Sequence, residues 1–115
     1  MFRFEKLEIW QRSCDVGIEL CDIADSLDKK RLYRFAEQLR AAALSISNNI
    51  AEGSGSDSKA DFKNFLNYSR RSAFECANMI LIFYKKGYLS IDERDKQLRE
   101  LDEICRMIYA FRKSL

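Results

Sequence analysis

The sequence predicts an all-α fold, an antiparallel up-down four-helix bundle, and three observations indicate it. The chain of 115 residues is 47% hydrophobic and 33% charged, as expected for one globular domain over residues 1–115. It has no Pro and only 4 Gly, which favours long helices over a turn-rich β fold. Apolar residues recur at helical spacing in four segments with short breaks, and helices joined by short connections pack antiparallel.

The first segment, residues 4–27, carries two apolar stripes. One stripe is sufficient for a bundle core, so the second must cover another helix or another subunit. Because soluble proteins rarely leave such a stripe exposed, we expect a closed, ring-shaped homo-oligomer. The first stripe comprises Leu7, Trp10, Cys14, Gly17, Ile18, Cys21 and Ala24. The second, the predicted oligomer interface, comprises Ile9, Val16, Leu20, Ile23 and Leu27.

The second segment, residues 29–52, has apolar positions spaced by three and four residues, a clear helical pattern. Asp28 is a suitable N-cap for this helix, and Gly53 is a natural helix stop. Residues 53–57 are rich in Gly and Ser and predict a flexible loop.

The third and fourth helices have recognisable ends. Ser58 or Asp57 is a suitable N-cap for the third helix, which we expect to end at Lys86 and Gly87. The run Ser90–Glu93 matches a capping box and predicts the start of the fourth helix.

The residue types exclude most catalytic chemistry. The chain has no His, which removes Ser-His and Cys-His nucleophile pairs and His-ligated metals. Cys14 and Cys21 lie seven residues apart on one helix, about 10 Å, too far for a disulfide. We interpret all four cysteines, including Cys76 and Cys105, as buried thiols, and no Cys-x-x-Cys motif is present. We therefore expect a protein that is not an enzyme and uses no metal or cofactor.

The sequence also indicates a compartment. Its start lacks the apolar core of a signal peptide, and no window approaches the roughly 18 apolar residues that span a bilayer. We expect a cytoplasmic protein that does not enter a membrane.

Charge is unevenly distributed, although the net charge is only +2. Residues 1–27 hold 3 basic and 6 acidic side chains, whereas residues 28–71 hold 9 basic and 5 acidic ones. Basic residues interleaved with aromatic and amide groups are typical of contacts to RNA or DNA. The candidate nucleic-acid-binding residues are Arg40, Lys63, Arg70 and Arg71.

Ordinary ion pairs are the alternative explanation for these basic residues. Glu37 could pair with Arg40, and Arg71 with Glu75, at helical spacings. The basic residues would then stabilise the fold, and the protein would be a protein–protein scaffold or adaptor without nucleic-acid binding.

Two polar stretches have more than one interpretation. The polar face of the second helix lacks a nucleophile and a base, so it forms either a subunit interface with local capping or a ligand site. The Gly-Ser loop is either a solvated connector or a place where an anion meets Ser56, Ser58 and Lys59. The polar face contains Gln38, Arg40, Ser45, Ser47, Asn48, Asn49 and Glu52.

Several runs resemble the family of four-helix-bundle proteins encoded in intervening sequences of bacterial 23S rRNA genes. The opening Phe4–Gln11 is similar to the start of that family, and Gln38–Ala42 and Ser45–Gly55 are similar to its second-helix signature. The match continues through Arg70–Ala77 and Gly87–Tyr88 and covers nearly the whole chain.

The resemblance implies an up-down bundle that assembles into a homopentamer without an established enzymatic activity. The family-motif polar residues are Gln38, Arg40, Asn49 and Glu52. By analogy of fold alone, accessory proteins of diversity-generating retroelements are similar basic pentamers that bind reverse transcriptase and nucleic acid. We therefore expect a non-enzymatic oligomeric adaptor that binds RNA or DNA, with the scaffold as the alternative.

Overall fold

The computed structural model describes residues 1–115, and the chain is helical with no strand. A short 3-10 turn at Arg3–Lys6 precedes four α-helices. We name them α1 (Glu8–Lys29), α2 (Tyr33–Ser54), α3 (Lys59–Lys85) and α4 (Ile91–Ser114). The all-helical prediction and the number of helices are confirmed.

Three predicted helix ends are confirmed by their backbone and capping geometry. The Ser58 hydroxyl accepts a hydrogen bond of 3.1 Å from the Asp61 N–H at the start of α3. At the start of α4, Ser90 and Glu93 bond reciprocally as a capping box, and α3 is followed by Gly87 with φ of 79°. Because glycine tolerates this left-handed conformation, the chain can reverse there without strain.

Both predicted ends of α2 differ from the structure. The chain reverses through Arg31, whose φ is 63°, so α2 begins four residues later than predicted, at Tyr33 rather than Lys29. Asp28 does not cap α2, because it lies within α1, where its carboxylate accepts a hydrogen bond from Arg40. Gly53 does not end α2 either, since the helix continues to Ser54 and is capped by Gly55.

The helices pack as an antiparallel bundle in which consecutive helices are neighbours. Lys30 Nζ donates to the Tyr88 carbonyl over 2.8 Å, which joins the α1–α2 turn to the α3–α4 turn at one end of the bundle. A single cluster of 24 buried apolar residues runs through all four helices. None of the helices is long and apolar enough to cross a membrane.

The α1–α4 seam is the least extensive of the four between neighbouring helices. Long charged side chains bridge it: Arg12 contacts Glu103 at 3.1 Å, and Lys96 contacts Glu19 at 2.7 Å. On the opposite side, α2 and α3 approach closely, and the Ser69 hydroxyl donates to the Ile46 carbonyl over 2.6 Å. Helices α2 and α3 therefore pack more closely than α1 and α4 do.

Candidate functional site

The predicted oligomer interface on α1 lies in the core of its own subunit. All five side chains are at most 7% exposed, and Val16, Leu20 and Leu27 are fully buried. The prediction was wrong because α1 packs against both α2 and α4 and so needs two apolar faces. The five residues that lie in the core and not at an interface are Ile9, Val16, Leu20, Ile23 and Leu27.

The outward-facing apolar residues of α1 belong to the other stripe. Ile18 is 62% exposed, and Cys14 and Cys21 are half-buried beside it. With Gly17, Asp22, Leu44 and Ser47 they line a groove of about 250 Å³, which we call the α1–α2 groove. Helical periodicity detected both stripes, but it did not indicate which of them meets α4.

Arg40 is engaged within the subunit. Its guanidinium forms ion pairs with Asp28 and, at 2.5 Å, with Asp25, both on α1. Hydrogen bonds to Asp28 and then Asp25 raise the pKa of Arg40 above its already high ordinary value. Arg40 thus links α1 to α2. The predicted partner Glu37 is not the one it uses.

Lys63 and Arg70 lie on the α4 side of α3. The Lys63 carbonyl accepts a hydrogen bond of 3.0 Å from Arg112 Nε. The Arg70 guanidinium lies 5.3 Å from the ring centres of both Phe74 and Tyr109. Both residues therefore border the junction between α3 and α4.

Arg71 lies on the other side of α3, toward α2. Successive helical residues are about 100° apart, so Arg70 and Arg71 cannot point the same way. Arg71 borders an open groove with Ser45, Asn49 and Glu75, and it makes no ion pair with Glu75. The four basic residues predicted to bind nucleic acid therefore do not form one surface.

Among the polar residues of α2, Ser45 hydrogen-bonds across the α2–α3 seam, and Asn49 hydrogen-bonds within α2. Asn49 Nδ2 donates to the Ser45 hydroxyl over 2.9 Å, and the Ser72 hydroxyl donates to the same oxygen over 2.8 Å. Gln38 and Glu52 are exposed, and their side chains make no hydrogen bond within the subunit. Hydrogen bonds within α2 and across to α3 account for Asn49 and Ser45, which favours the structural interpretation of this face.

The serine hydroxyls of the Gly-Ser loop also form hydrogen bonds within the subunit. The Ser56 hydroxyl donates to Asp61 Oδ2 over 2.7 Å, while Ser58 caps α3. The carboxylate of Asp61 lies where an anion would have to bind, so the loop fits the interpretation as a connector.

One concentration of positive charge was not predicted from the sequence. The end of the bundle that holds the α1–α2 and α3–α4 turns carries six exposed basic side chains, none in an ion pair. We call it the basic end. The sequence contains a pattern that indicates this cluster. Two runs of consecutive basic residues lie at the first and third turns, and an up-down topology places these two turns at the same end of the bundle. The six residues are Lys29, Lys30, Arg31, Arg34, Lys85 and Lys86.

A second groove lies on the opposite side of the bundle from the α1–α2 groove. This α3–α4 groove, of about 460 Å³, has a largely apolar floor and two arginines at its border. It is lined by Arg70, Ala73, Phe74, Ala77, Leu98, Leu101, Asp102, Cys105 and Arg106.

The thiols and carboxylates form no chemical centre. No group of three or more Cys, Asp or Glu side chains is placed to hold a metal ion. Burial raises the pKa of the Cys76 thiol to about 12, and burial also raises the pKa of Cys14, Cys21 and Cys105. These thiols are protonated at neutral pH and are poor nucleophiles.

Comparison with known proteins identifies the family. The model of the 23S rRNA-intervening sequence protein family matches residues 5–110. A crystal structure of a protein of unknown function from the S23 ribosomal protein family of Bacteroides thetaiotaomicron superposes with a TM-score of 0.87 at 20% identity. The match covers 91% of this chain and 98% of that one, and no curated protein sequence matches. The chain belongs to the 23S rRNA-intervening sequence protein family.

Proposed function

We propose that this chain is a non-enzymatic, ring-shaped homo-oligomeric protein that binds RNA or DNA through its basic end. The observation that carries the proposal is the cluster of six exposed, unpaired cations at one end of the bundle. Nucleic-acid affinity is dominated by contacts between such cations and phosphates, which are largely indifferent to sequence.

The geometry of the basic end suits a backbone contact. The hydrogen bond from Lys30 to the Tyr88 carbonyl fixes the two turns relative to each other. Tyr33 is 58% exposed beside them, at the start of α2, and offers a ring on which an unpaired base can stack. Acidic residues are present at both ends of the bundle: Asp92 and Glu93 begin α4 beside the six cations, and Glu5, Asp57 and Asp61 lie among the basic residues of the opposite end. Glu93 is engaged locally, since its carboxylate accepts a hydrogen bond from the Ser90 N–H.

Assembly would bring several copies of the basic end together in one particle. In a cyclic ring every subunit has the same orientation relative to the axis, so the basic ends face the same way. Five subunits, the number that the resemblance implies, would present five copies to one strand. Multivalency of this kind increases affinity without any new contact.

The apolar grooves favour a second candidate function, a protein–protein scaffold without nucleic-acid binding. Exposed apolar patches on a soluble protein usually mark protein contacts. This candidate differs from the first in one respect: the basic end would have no polyanionic partner.

The test is a salt series of binding measurements. Affinity for a mixed-sequence single-stranded RNA and for duplex DNA is measured by fluorescence anisotropy for wild type and for Lys29→Glu/Lys85→Glu/Lys86→Glu. The variant should bind more weakly, and its salt slope for RNA should shrink by about 0.7 for each phosphate that it no longer neutralises.

The matched control is Lys6→Glu/Lys59→Glu/Lys113→Glu, which makes the same charge change at the opposite end of the bundle. It should retain more affinity and a steeper salt slope than the basic-end variant. An equal loss of affinity in both variants would show that the basic end is not the site. No binding by wild type even at low salt would leave the scaffold as the function.

A further inference from the structure

We infer that the α1–α2 groove of one copy docks against the α3–α4 groove of the next copy, head to tail. This inference rests on one part of the proposed function, namely that the chain forms a homo-oligomer, and it assigns the contact between the copies. It replaces the buried α1 stripe with surfaces that are accessible in the folded subunit.

The α1–α2 groove projects large aliphatic side chains into solvent. Ile18 on α1 is 62% exposed and Leu44 on α2 is 50% exposed, and both line the same groove. Leaving two neighbouring aliphatic side chains half in water is unfavourable, and covering them with another apolar surface stabilises the contact.

The α3–α4 groove has the complementary shape. Its floor contains the small residues Ala73 and Ala77, and Leu98 lies beside them. Its volume of about 460 Å³ leaves room for projecting aliphatic side chains. Phe74, which is 59% exposed, forms a wall that a docked helix would cover.

The charges around the two grooves are also complementary. Asp15 and Asp22 lie three residues before and four residues after Ile18, so they share its face, and neither forms an ion pair within the subunit. Arg70 borders the α3–α4 groove, and its buried Nε has no hydrogen-bond partner in the subunit. That Nε is enclosed within the subunit, so an incoming carboxylate would bind the other guanidinium N–H groups of Arg70.

Arg106 adds a second positive group at the same groove. Its Nε contacts Asp102 at 3.0 Å, and its side chain remains 79% exposed. Exposed pairs of this kind are weak and exchange partners readily. The acidic α1 helix therefore meets a basic border on α3 and α4, a pairing that favours a second copy of this chain over a nucleic acid in this groove.

The positions of the grooves determine the kind of assembly. They lie on opposite sides of the bundle, so the contact joins two different surfaces, which produces a ring or an open filament. Helices α2 and α3 pack more closely, with the Ser72 and Ser45 hydroxyls 2.8 Å apart, than α1 and α4 do. A subunit packed more closely on one side favours a ring with α2–α3 facing the axis over an open filament.

The first test is sedimentation velocity on Ile18→Asp and Leu44→Asp at micromolar concentration without nucleic acid. Each should shift the protein from oligomer to the 13.5 kDa monomer while its helical circular dichroism is unchanged. The matched control is Ile82→Asp, an aliphatic residue that is 45% exposed outside both grooves and should leave assembly intact.

The second test exchanges charges. Asp22→Arg and Arg70→Asp should each weaken assembly, and the double variant should restore it because the pair is then reversed across the contact. Cys14 and Cys21 provide an independent readout, since both line the α1–α2 groove. Iodoacetamide should label them more slowly in the wild-type oligomer than in Ile18→Asp.

A wild-type oligomer that Ile18→Asp and Leu44→Asp leave intact would overturn the inference, as would a wild-type monomer. Neither result depends on RNA binding. Conversely, dissociation by Ile18→Asp in a protein that binds no RNA would support the docking contact and contradict the proposed function.

Discussion

At the scale of single residues, Gly53 lies where α2 closely approaches α3. A Cβ at this position would lie 2.7 Å from the Phe65 Cβ and 2.8 Å from Phe62 Cδ1. Both neighbours are on α3, so either ring or backbone would have to move. We predict that Gly53→Ala lowers the free energy of unfolding by about 1–3 kcal/mol, as for other overpacked sites.

Chemical denaturation measures this cost, and Gly55→Ala is the matched control. A Cβ at Gly55 would lie 3.5 Å from the Glu52 carbonyl, an ordinary contact, and the φ of −86° suits alanine. The control should be neutral or slightly stabilising. If both variants unfold at the same denaturant concentration, the close approach does not constrain the bundle.

Leu20 and Ile18 distinguish the core from the surface of α1. Leu20 is fully buried, whereas Ile18 is 62% exposed. We predict that Leu20→Ala costs about 2–5 kcal/mol of unfolding free energy, as large-to-small core changes do. Ile18→Ala should change it by less than about 0.5 kcal/mol when both are measured at concentrations where the chain is monomeric. Equal costs would contradict the assignment of the two stripes.

Much of what the residues do follows from their types, but their partners depend on the packing. The periodicity of α1 placed Leu20 and Ile18 on two apolar stripes and gave no reason to prefer one stripe as the core. Only the position of α4 decides that Leu20 is covered. In the same way, Arg40 was predicted to use Glu37 on its own helix. The structure brings Asp25 and Asp28 nearer, because α1 ends beside the start of α2.

At the scale of helices, polar contacts support the α1–α4 seam. Glu19 on α1 accepts hydrogen bonds from Lys96 at 2.7 Å and Gln97 at 3.2 Å, both on α4. The bond from Lys96 lowers the pKa of Glu19 below its ordinary value, against a smaller opposing effect of burial. The folded state therefore holds the carboxylate in its charged form.

The sign of the pH dependence follows. Because the pKa of Glu19 is lower in the folded state, its contribution is complete above its unfolded pKa of about 4.3 and is lost as pH falls through the folded pKa. We predict that Glu19→Gln destabilises the bundle at neutral pH, and that the difference from wild type shrinks below about pH 4.

Urea unfolding at a series of pH values measures this difference. Glu8→Gln is the control, since Glu8 is exposed and forms no ion pair. A difference between wild type and Glu19→Gln that stays constant or grows on acidification would show that the seam does not depend on the Glu19 charge.

The ends of helices were predictable from the sequence where a side chain caps the helix. Ser58 and Ser90 cap their helices through their own hydroxyls, so the local sequence was sufficient. The start of α2 has no side-chain cap and follows a reversal through Arg31 in a left-handed conformation. Nothing in the residue type at position 31 indicates this, because non-glycine residues rarely adopt it.

At the scale of the whole molecule, charge is organised by topology more than by position in the sequence. Residues 28–71 are rich in basic side chains, but the four candidate cations lie on three different surfaces of the bundle. The basic end combines a run in the first turn with Lys85 and Lys86 from the third. These residues are distant in sequence, and only the up-down connectivity makes them neighbours. The sequence therefore predicted the bundle better than the surface it presents.

The central claim is that assembly presents several basic ends to one nucleic acid. It is tested most directly by comparing the salt dependence of single-stranded RNA binding by assembled wild type and by Ile18→Asp. Ile18 is remote from the six cations, so each variant subunit keeps its own basic end. We predict that wild type binds more tightly and with a steeper slope of log affinity against log salt, since more phosphates are contacted at about 0.7 each. Equal slopes for an oligomeric wild type and a monomeric variant, or no binding by either, would contradict the account.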